Sequence, residues 1–350
     1  MRFRVVQWAT GSVGRSALRT IARHPELELA GVYVTSPAKK GVDAGELCGL
    51  PRIGVAATND VDEILALDAH CVCHTPLPSA RYGDDPDADL RTICRLLESG
   101  KNVVTTTGFV YPKVYGPELV GRLESACARG GTSLHGTGVN PGWVGELLPL
   151  TMSALSARID RVRVLESSDF SRYPSREIIV EMMGLGRAPA EFEKMAQKYQ
   201  RWLEGLFRES VQMIADGLGL SLERHETRAE IRLASESFTI AAGEIARGTV
   251  AAQRFVFAGI AFGKPVIELE AVYRARAAEA PDWAEPGCSV EIDGRPRMRI
   301  DLSEGWLANG LLGTAMHAVH AIPHVVRAAP GIRTFLDLPL ITGRHTVVST

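Results

Sequence analysis

The spacing of hydrophobic positions changes character once along this chain. Up to about residue 140, short apolar runs alternate with helical patterns. Phe3 to Trp8 is mostly apolar and suits a strand buried on both faces. Ser12 to Arg23 reads as a helix with Val13, Ala17, Leu18 and Ile21 on one side. Leu27 to Val34 predicts a second strand, Ala69 to His74 a third, Asn102 to Thr106 a fourth and Thr132 to Thr137 a fifth. Asp87 to Ser99 is helical, with Leu90, Ile93, Cys94 and Leu97 at helical steps, and Gly100 stops it. Pro117 to Arg129 is a further helix. Strands alternating with helices predict a parallel sheet with crossovers.

Past Asn140-Pro-Gly the rhythm differs. Ile159 to Glu166 reads as a strand and Glu191 to Gly217 as a long helix. The stripe Met195, Tyr199, Trp202, Leu206 and Met213 on that helix suits a core better than a ligand box. Leu222–Ile231, Glu244–Ala252, Arg254–Phe262 and Val266–Arg274 read as strands, with a hairpin at Gly263-Lys264. Asp293-Gly294 predicts a second hairpin turn between Val290 and Ile300. The pattern from Gly305 to Ala328 is helical again. The expected fold is α/β. Residues 1–143 with 305–350 form a doubly wound parallel, Rossmann-type domain. Residues 144–304 form an α+β domain with a largely antiparallel sheet. The helices look too few to cover that sheet, so a homodimer built through about residues 150–300 is expected.

Composition narrows the function by exclusion. With 39 basic against 41 acidic residues, the chain lacks the charge expected of a nucleic-acid binder. No apolar run is long enough to span a bilayer, and the first residues enter a strand without a signal-peptide core. Cys71 and Cys73 are two apart, not at redox or zinc-knuckle spacing, and the six cysteines read as free thiols of a reducing compartment. A cytoplasmic protein follows.

The chemistry starts at Ala9-Thr10-Gly11-Ser12-Val13-Gly14, between the first strand and the first helix. A dinucleotide fold needs a small residue for the turn, a glycine where the pyrophosphate approaches the backbone, and a glycine for helix–strand packing. Ala9, Gly11 and Gly14 fill those places. The helix amino terminus then offers N–H groups to phosphate. An NAD site usually carries an acid at the end of the second strand. Here Val34 is followed by Thr35, Ser36, Lys39 and Lys40, with no acid before Asp43. Hydroxyls and two of only seven lysines favour NADP(H), with NAD(H) as the alternative.

Trp8 to Gly14, His135-Gly-Thr-Gly-Val-Asn-Pro-Gly142, and the tail with Ala321-Ile-Pro-His-Val325, Ala329-Pro-Gly-Ile332 and Asp337-Leu-Pro339 together resemble the dihydrodipicolinate-reductase-like family. The likeness is to the branch with 2,4-diaminopentanoate dehydrogenase and native amine dehydrogenases. It implies a Rossmann domain, a C-terminal α+β domain that mediates dimerisation, and hydride transfer to or from a C=N or C=O carbon. Two places depart from the family. No adjacent His pair exists, and the place of the reductases' His-His and Lys reads Glu166-Ser-Ser-Asp169-Phe-Ser171-Arg-Tyr173-Pro-Ser175. The loop after the fourth strand, Thr105 to Pro112 with Phe109, has no acid where the amine dehydrogenases place a catalytic Glu.

What stands there is a polar loop. Tyr173 and Asp169 suit a proton donor and a holder of a cationic substrate, with Ser171 and Ser175 as orienters; equally, the segment caps a helix near Arg176, the better reading for Ser175. Asn140 suits the nicotinamide carboxamide, and Thr75 and Pro76 suit a cofactor-lining loop. Trp143, Phe109 and Ser171 suit a substrate pocket, although Trp143 fits a core position as well. His74 reads as structural. His317, His320 and His324 read as helix packing, and no metal is expected. The leading reading is an NAD(P)H-dependent oxidoreductase of small carbonyls, imines or amines. A non-catalytic nucleotide-binding module or partner subunit is the other class. A true dihydrodipicolinate reductase is disfavoured by the missing His-His and Lys.

Overall fold

The computed structural model describes residues 2–302 and 305–347. The chain divides into two compact units, residues 1–143 with 310–350, and residues 144–309. The boundary expected between 304 and 305 falls beside residues outside the described set. In this division the helix Gly305–Ala308 goes with the second unit.

In the first unit the strands are β1 (Phe3–Trp8), β2 (Leu27–Tyr33), β3 (Ala57–Thr58), β4 (Cys71–His74), β5 (Asn102–Thr105) and β6 (Ser133–Gly136). The helices among them are α1 (Ser12–Ile21), α2 (Ala44–Cys48), α3 (Val61–Ala66), α4 (Ser79–Tyr82), α5 (Ala88–Glu98) and α6 (Pro117–Gly130). Period-two alternation sends neighbours in one strand to opposite cores. Val6 and Val72 pack with Ile93, Leu96 and Leu123, while Val5, Cys71 and Cys73 pack with Ala17, Ile21 and Val319. The two cysteines therefore share one apolar face, and burial pushes the Cys73 thiol up to about 12. Between β2 and β4 the structure adds β3, α2 and α3, which the apolar pattern missed because each is a turn or two long.

In the second unit α7 (Leu148–Ser153) precedes β7 (Arg158–Asp169), followed by α8 (Pro189–Gly217), β8 (Arg224–Leu233), β9 (Phe238–Ile240), β10 (Gly243–Ile245), β11 (Val250–Ala261), β12 (Lys264–Arg274), β13 (Gly287–Arg295), β14 (Met298–Leu302) and α9 (Gly305–Ala308). Six strands form one sheet in the order β14-β13-β7-β12-β11-β8. It is antiparallel except where β7 runs parallel to β12. Two sequence expectations are corrected. The expected strand Glu244–Ala252 is two pieces: β10 pairs with β9 in a separate ribbon, and β11 starts only at Val250. The hairpin expected between Val290 and Ile300 is present, with Val290 paired to Ile300 and Ile292 to Met298, but Asp293-Gly294 is not a tight two-residue turn, because both residues still pair with β7 at the end of β13. The β13–β7 register slips there, and a Cβ on Gly294 would stand 2.1 Å from the Arg158 carbonyl oxygen. The connection from β13 to β14 spans residues 293–297, with Pro296 unable to continue the ladder.

One face of this sheet packs on α8, where Tyr199 meets Phe255 edge-on and Phe207 stacks on Phe257. On the other face the register sets Arg299, Glu291, Arg163, Glu268, Ala258 and Glu226 side by side across the strands. That face is laced with ion pairs, Arg161 and Arg228 to Glu268 and Arg297 to Glu291 among them.

The chain re-enters the first unit as α10 (Gly310–Arg327) and β15 (Gly331–Ile332), completing an all-parallel sheet in the order β15-β6-β5-β4-β1-β2-β3. Its reversal of strand order beside β1 sets a crevice at the carboxyl ends of the strands, where open α/β sheets bind ligands. No helix among the described residues is long and apolar enough to cross a membrane.

Candidate active site

The chain leaves β1 through Ala9, whose φ of +72° is a left-handed conformation that glycine adopts more easily. Gln7 helps hold it there. The Gln7 side chain is fully buried, and its Nε2 donates to the Ala9 carbonyl at 2.9 Å and to Thr75 Oγ1 at 2.8 Å. Thr75 Oγ1 in turn donates to the Trp8 carbonyl at 3.1 Å. The sequence reading took Thr75 for a lining residue; its hydroxyl also ties the end of β4 to the turn. Gln7 was missed, because nothing in a strand sequence marks one polar residue as buried.

The two glycines differ as a dinucleotide site requires. A Cβ on Gly14 would stand 2.2 Å from the Ala9 carbonyl oxygen, so helix and turn touch only without it. A Cβ on Gly11 would meet nothing within 4 Å, so the backbone there faces open space. No side chain caps α1, which leaves the N–H groups of its first turn, Ser12 and Val13 included, for an anion. Lys39 reaches back to this turn, donating from Nζ to Thr10 Oγ1 at 3.1 Å. Ser36 is half-buried beside it, while Thr35 and Lys40 are exposed. Asp43 is fully engaged elsewhere, accepting from the backbone N–H of Gly45, Ile53 and Gly54. Those bonds hold its carboxyl below the usual range, and residues 34–42 after β2 hold no acid. Burial, and after it the charge of Asp60 beyond β3, raises the Tyr33 phenol. These residues fit a dinucleotide.

Further along the carboxyl edge, His74 Nδ1 lies 2.9 Å from Thr105 Oγ1, which lies 2.9 Å from Thr107 Oγ1. Burial pushes His74 down to about 3, so it is neutral and structural. Pro76 is half-buried after Thr75. Phe109, at φ +60°, packs against the Val6–Leu123 core, and its carbonyl lies where a Cβ on Gly136 would stand. Asn140 and Trp143 are both half-buried in the turn after β6, and the Trp143 N–H donates to the Gly138 carbonyl. No group of three His, Cys, Asp or Glu that could hold a metal occurs among the described residues.

Asp169, Ser171 and Tyr173 belong to the second unit. Asp169 ends β7, and its two oxygens accept from the N–H groups of Ser171 at 2.7 Å and Ala277 at 2.8 Å. The Ser171 carbonyl accepts from the Ala241 N–H of the β9–β10 ribbon. Tyr173 is half-buried, its ring edge-on to Phe170 at 6.0 Å. Ser175 Oγ accepts from the Ile178 N–H at 3.3 Å, the capping role its position suggests.

A parallel sheet with a glycine turn opening its first crossover and a nicotinamide cofactor as its ligand defines a dinucleotide-dependent oxidoreductase. Residues 5–113 match the family model of the dihydrodipicolinate reductase N-terminus, and residues 143–349 that of the 2,4-diaminopentanoate dehydrogenase C-terminal domain. The chain is 36% identical to an amine dehydrogenase of Streptomyces virginiae over 96% of both chains. It is 24% identical to the 2,4-diaminopentanoate dehydrogenase of Acetoanaerobium sticklandii over 97% of this chain and 94% of that one. The fold matches the solved amine dehydrogenase of Mycobacterium smegmatis with a TM-score of 0.80, at 24% identity and 98% coverage of each. The chain belongs to the dihydrodipicolinate-reductase-like family, in its amine dehydrogenase and diaminopentanoate dehydrogenase branch, and is an NAD(P)-dependent oxidoreductase.

Proposed function

We propose that this oxidoreductase prefers NADP(H) and interconverts a small, partly apolar amine with its carbonyl or imine partner. The observation that carries the cofactor preference is the Lys39 ammonium docked on Thr10, with Ser36 beside it and the Asp43 carboxylate tied to backbone N–H groups. The amine assignment is supported by the full-length likeness to the two named relatives. The cofactor, when bound, supplies the hydride. The chain's own residues do the rest. The glycine turn and the α1 N–H groups bind the pyrophosphate, and Asn140 orients the carboxamide. Thr75 and Pro76 line the cofactor, and Phe109 and Trp143 of the first unit, and separately Ser171 of the second, are the candidates for contact with the substrate. Tyr173 gives the proton of its phenol to the reacting heteroatom. Asp169, fixed by two backbone N–H groups, attracts a cationic substrate.

In the same proposal the protein works in the cytoplasm, in keeping with its six free thiols. It works as a homodimer. The Arg–Glu face of the second sheet supports this, since alternating charges are complementary to a second copy of themselves. Light scattering at working concentration should give twice the chain mass.

The deciding experiment follows NADPH oxidation over a panel of ketones with and without ammonia, and NADP reduction over the matching amines. Turnover that depends on ammonia is expected. With the substrate in hand, Lys39→Glu together with Lys40→Glu should erase the preference for NADPH. Equal affinity of the unmutated protein for NADPH and NADH would remove the cofactor preference, and no turnover on any amine or carbonyl would remove the amine reading.

A further inference from the structure

Six of the nine histidines, His24, His135, His317, His320, His324 and His345, gather in the first unit around α10 and the tail behind it. Their order is directional. Helical spacing sets His317, His320 and His324 along α10. His317 is nearest the carboxyl edge of the sheet, with Nδ1 2.6 Å from Thr137 Oγ1 at the end of β6. His320 Cε1 lies 3.7 Å from where a Cβ on Gly343 of the tail would stand. His24, just after α1, meets the His345 ring edge-on at 5.4 Å, and His345 Nε2 is 3.4 Å from the Glu26 carboxylate. Exposure grows along the series: His317, His320 and His24 are half-buried and His345 is exposed.

The Nε2 atoms of His135, His317 and His320 are buried and meet no hydrogen-bonding group of the protein. Buried ring nitrogens in that position bond water. Burial pushes His317 down to about 3 and His135 to about 4. The rings are thus neutral at pH 7, each with one N–H and one bare nitrogen. His135 and His320 lie within electrostatic reach of His317, and His24 of His320, so a proton on one ring would be felt by the next. Asp337 and His324 face His135, while Arg327, Arg344 and Glu26 face His324.

The geometry points to a proton path from the His345–His24 pair at the surface, through His320 and His317, to the hydroxyl of Thr137 at the carboxyl edge of the sheet. It rests on the dehydrogenase reading above. An amine cation and water converted to a carbonyl and ammonium release one proton besides the hydride; the reverse reaction consumes one. Tyr173 handles a proton at the substrate, and the path joins the site edge to bulk water. Inward, in one concerted shift, His317 Nε2 takes a proton from water bonded towards His320 as its Nδ1 gives one to Thr137 Oγ, and Thr137 Oγ passes its own proton to water at the carboxyl edge of the sheet. The water between the rings is resupplied through His320 from His24. Each ring gains a proton at one nitrogen and loses one at the other, and no electron moves.

The test uses the full chain with its histidine side chains labelled with nitrogen-15, first without cofactor. The His317 ring N–H should exchange with water rapidly despite its burial, and His320→Phe should slow that exchange at least tenfold. In turnover, His320→Phe should lower kcat at least tenfold with a larger solvent deuterium isotope effect and an unchanged Kd for NADPH. His320→Ala should be rescued by added imidazole. If His320→Phe fails to fold, His24→Asn, nearer the surface, should show the same slowing in smaller degree. Exchange unaffected by the variant, or kcat lost without an isotope effect or rescue, overturns the path. The exchange experiment needs no substrate, so it decides the path even if the amine reading fails.

Discussion

The glycine turn of the first unit and the Asp169–Ser175 loop of the second both present polar groups at the end of a strand, and they fix them by opposite means. In the turn, backbone packs on backbone: Gly14 sits where a Cβ would strike the Ala9 carbonyl. In the loop, side chains staple backbone: Asp169 holds Ser171 and Ala277, and Ser175 holds Ile178. A backbone device tolerates almost no substitution. A stapled loop gives way by degrees, one hydrogen bond at a time. The difference teaches where to look for conserved geometry and where to look for adjustable specificity.

The sharpest break of this contrast is at Gly14. Gly14→Val puts two further methyl groups behind a Cβ already 2.2 Å from backbone, which cannot swing aside. Cofactor binding should be lost at least 100-fold, and stability should fall by about 3 kcal/mol or more, the upper range for overpacking. Gly11→Ala is the control: its Cβ meets no protein atom. The melting temperature should hold while cofactor affinity drops about tenfold. Calorimetry with and without NADPH separates the two losses.

Tyr173→Phe probes the loop at its chemical end. Removing a general acid costs roughly 100-fold in turnover, and cofactor affinity should not change. Normal turnover would leave the loop structural.

The third effect acts on the first unit through its fully buried rings. His74 and His135 carry folded-state pKa values of about 3 and about 4 against an ordinary 6.5. The folded values are depressed, so below pH 6.5 the unfolded chain binds more protons. Their contribution is complete above pH 6.5 and drains as pH falls towards 4. Each group removes about 1.4 kcal/mol per pH unit in that window. With His317, also held at about 3, added to these two, urea melts at pH 7, 6 and 5 should lose about 3–4 kcal/mol over the last unit in the first unit's transition. A midpoint that stays level would mean that these rings take up protons as easily in the folded chain as in the unfolded one.

Much of this was legible in the residues, and the boundary is physical. Glycine spacing reports backbone geometry directly, so the turn after β1 could be read from Ala9, Gly11 and Gly14. Period-two and helical repeats report burial, so the long strands and helices could be placed. Short elements such as β3 and α3 carry too few positions for a period. Asp293-Gly294 has the composition of a turn, but the β7 backbone alongside decides what a glycine there is for. The contacts of Gln7, Lys39 and His317 join residues far apart in sequence, and no local pattern records them.

Ser175 offers the smallest and most discriminating test. Its bond to the Ile178 N–H is 3.3 Å long and half-buried, so Ser175→Ala should cost about 1 kcal/mol or less, the lower range for a lost helix cap. That change is too small to unfold the second unit, but it loosens the one side chain that fixes the loop's exit two residues after Tyr173. If Tyr173 must be held in place to give its proton, kcat falls several-fold while KM and the Kd for NADPH stay put. Amide exchange should rise at residues 176–178 and not in the glycine turn. If the loop only caps the helix, exchange rises in the same place and kcat does not move. The paired measurement therefore separates a loop that positions a proton donor from one that merely ends a strand. Ser175→Thr, which keeps the oxygen, should restore both.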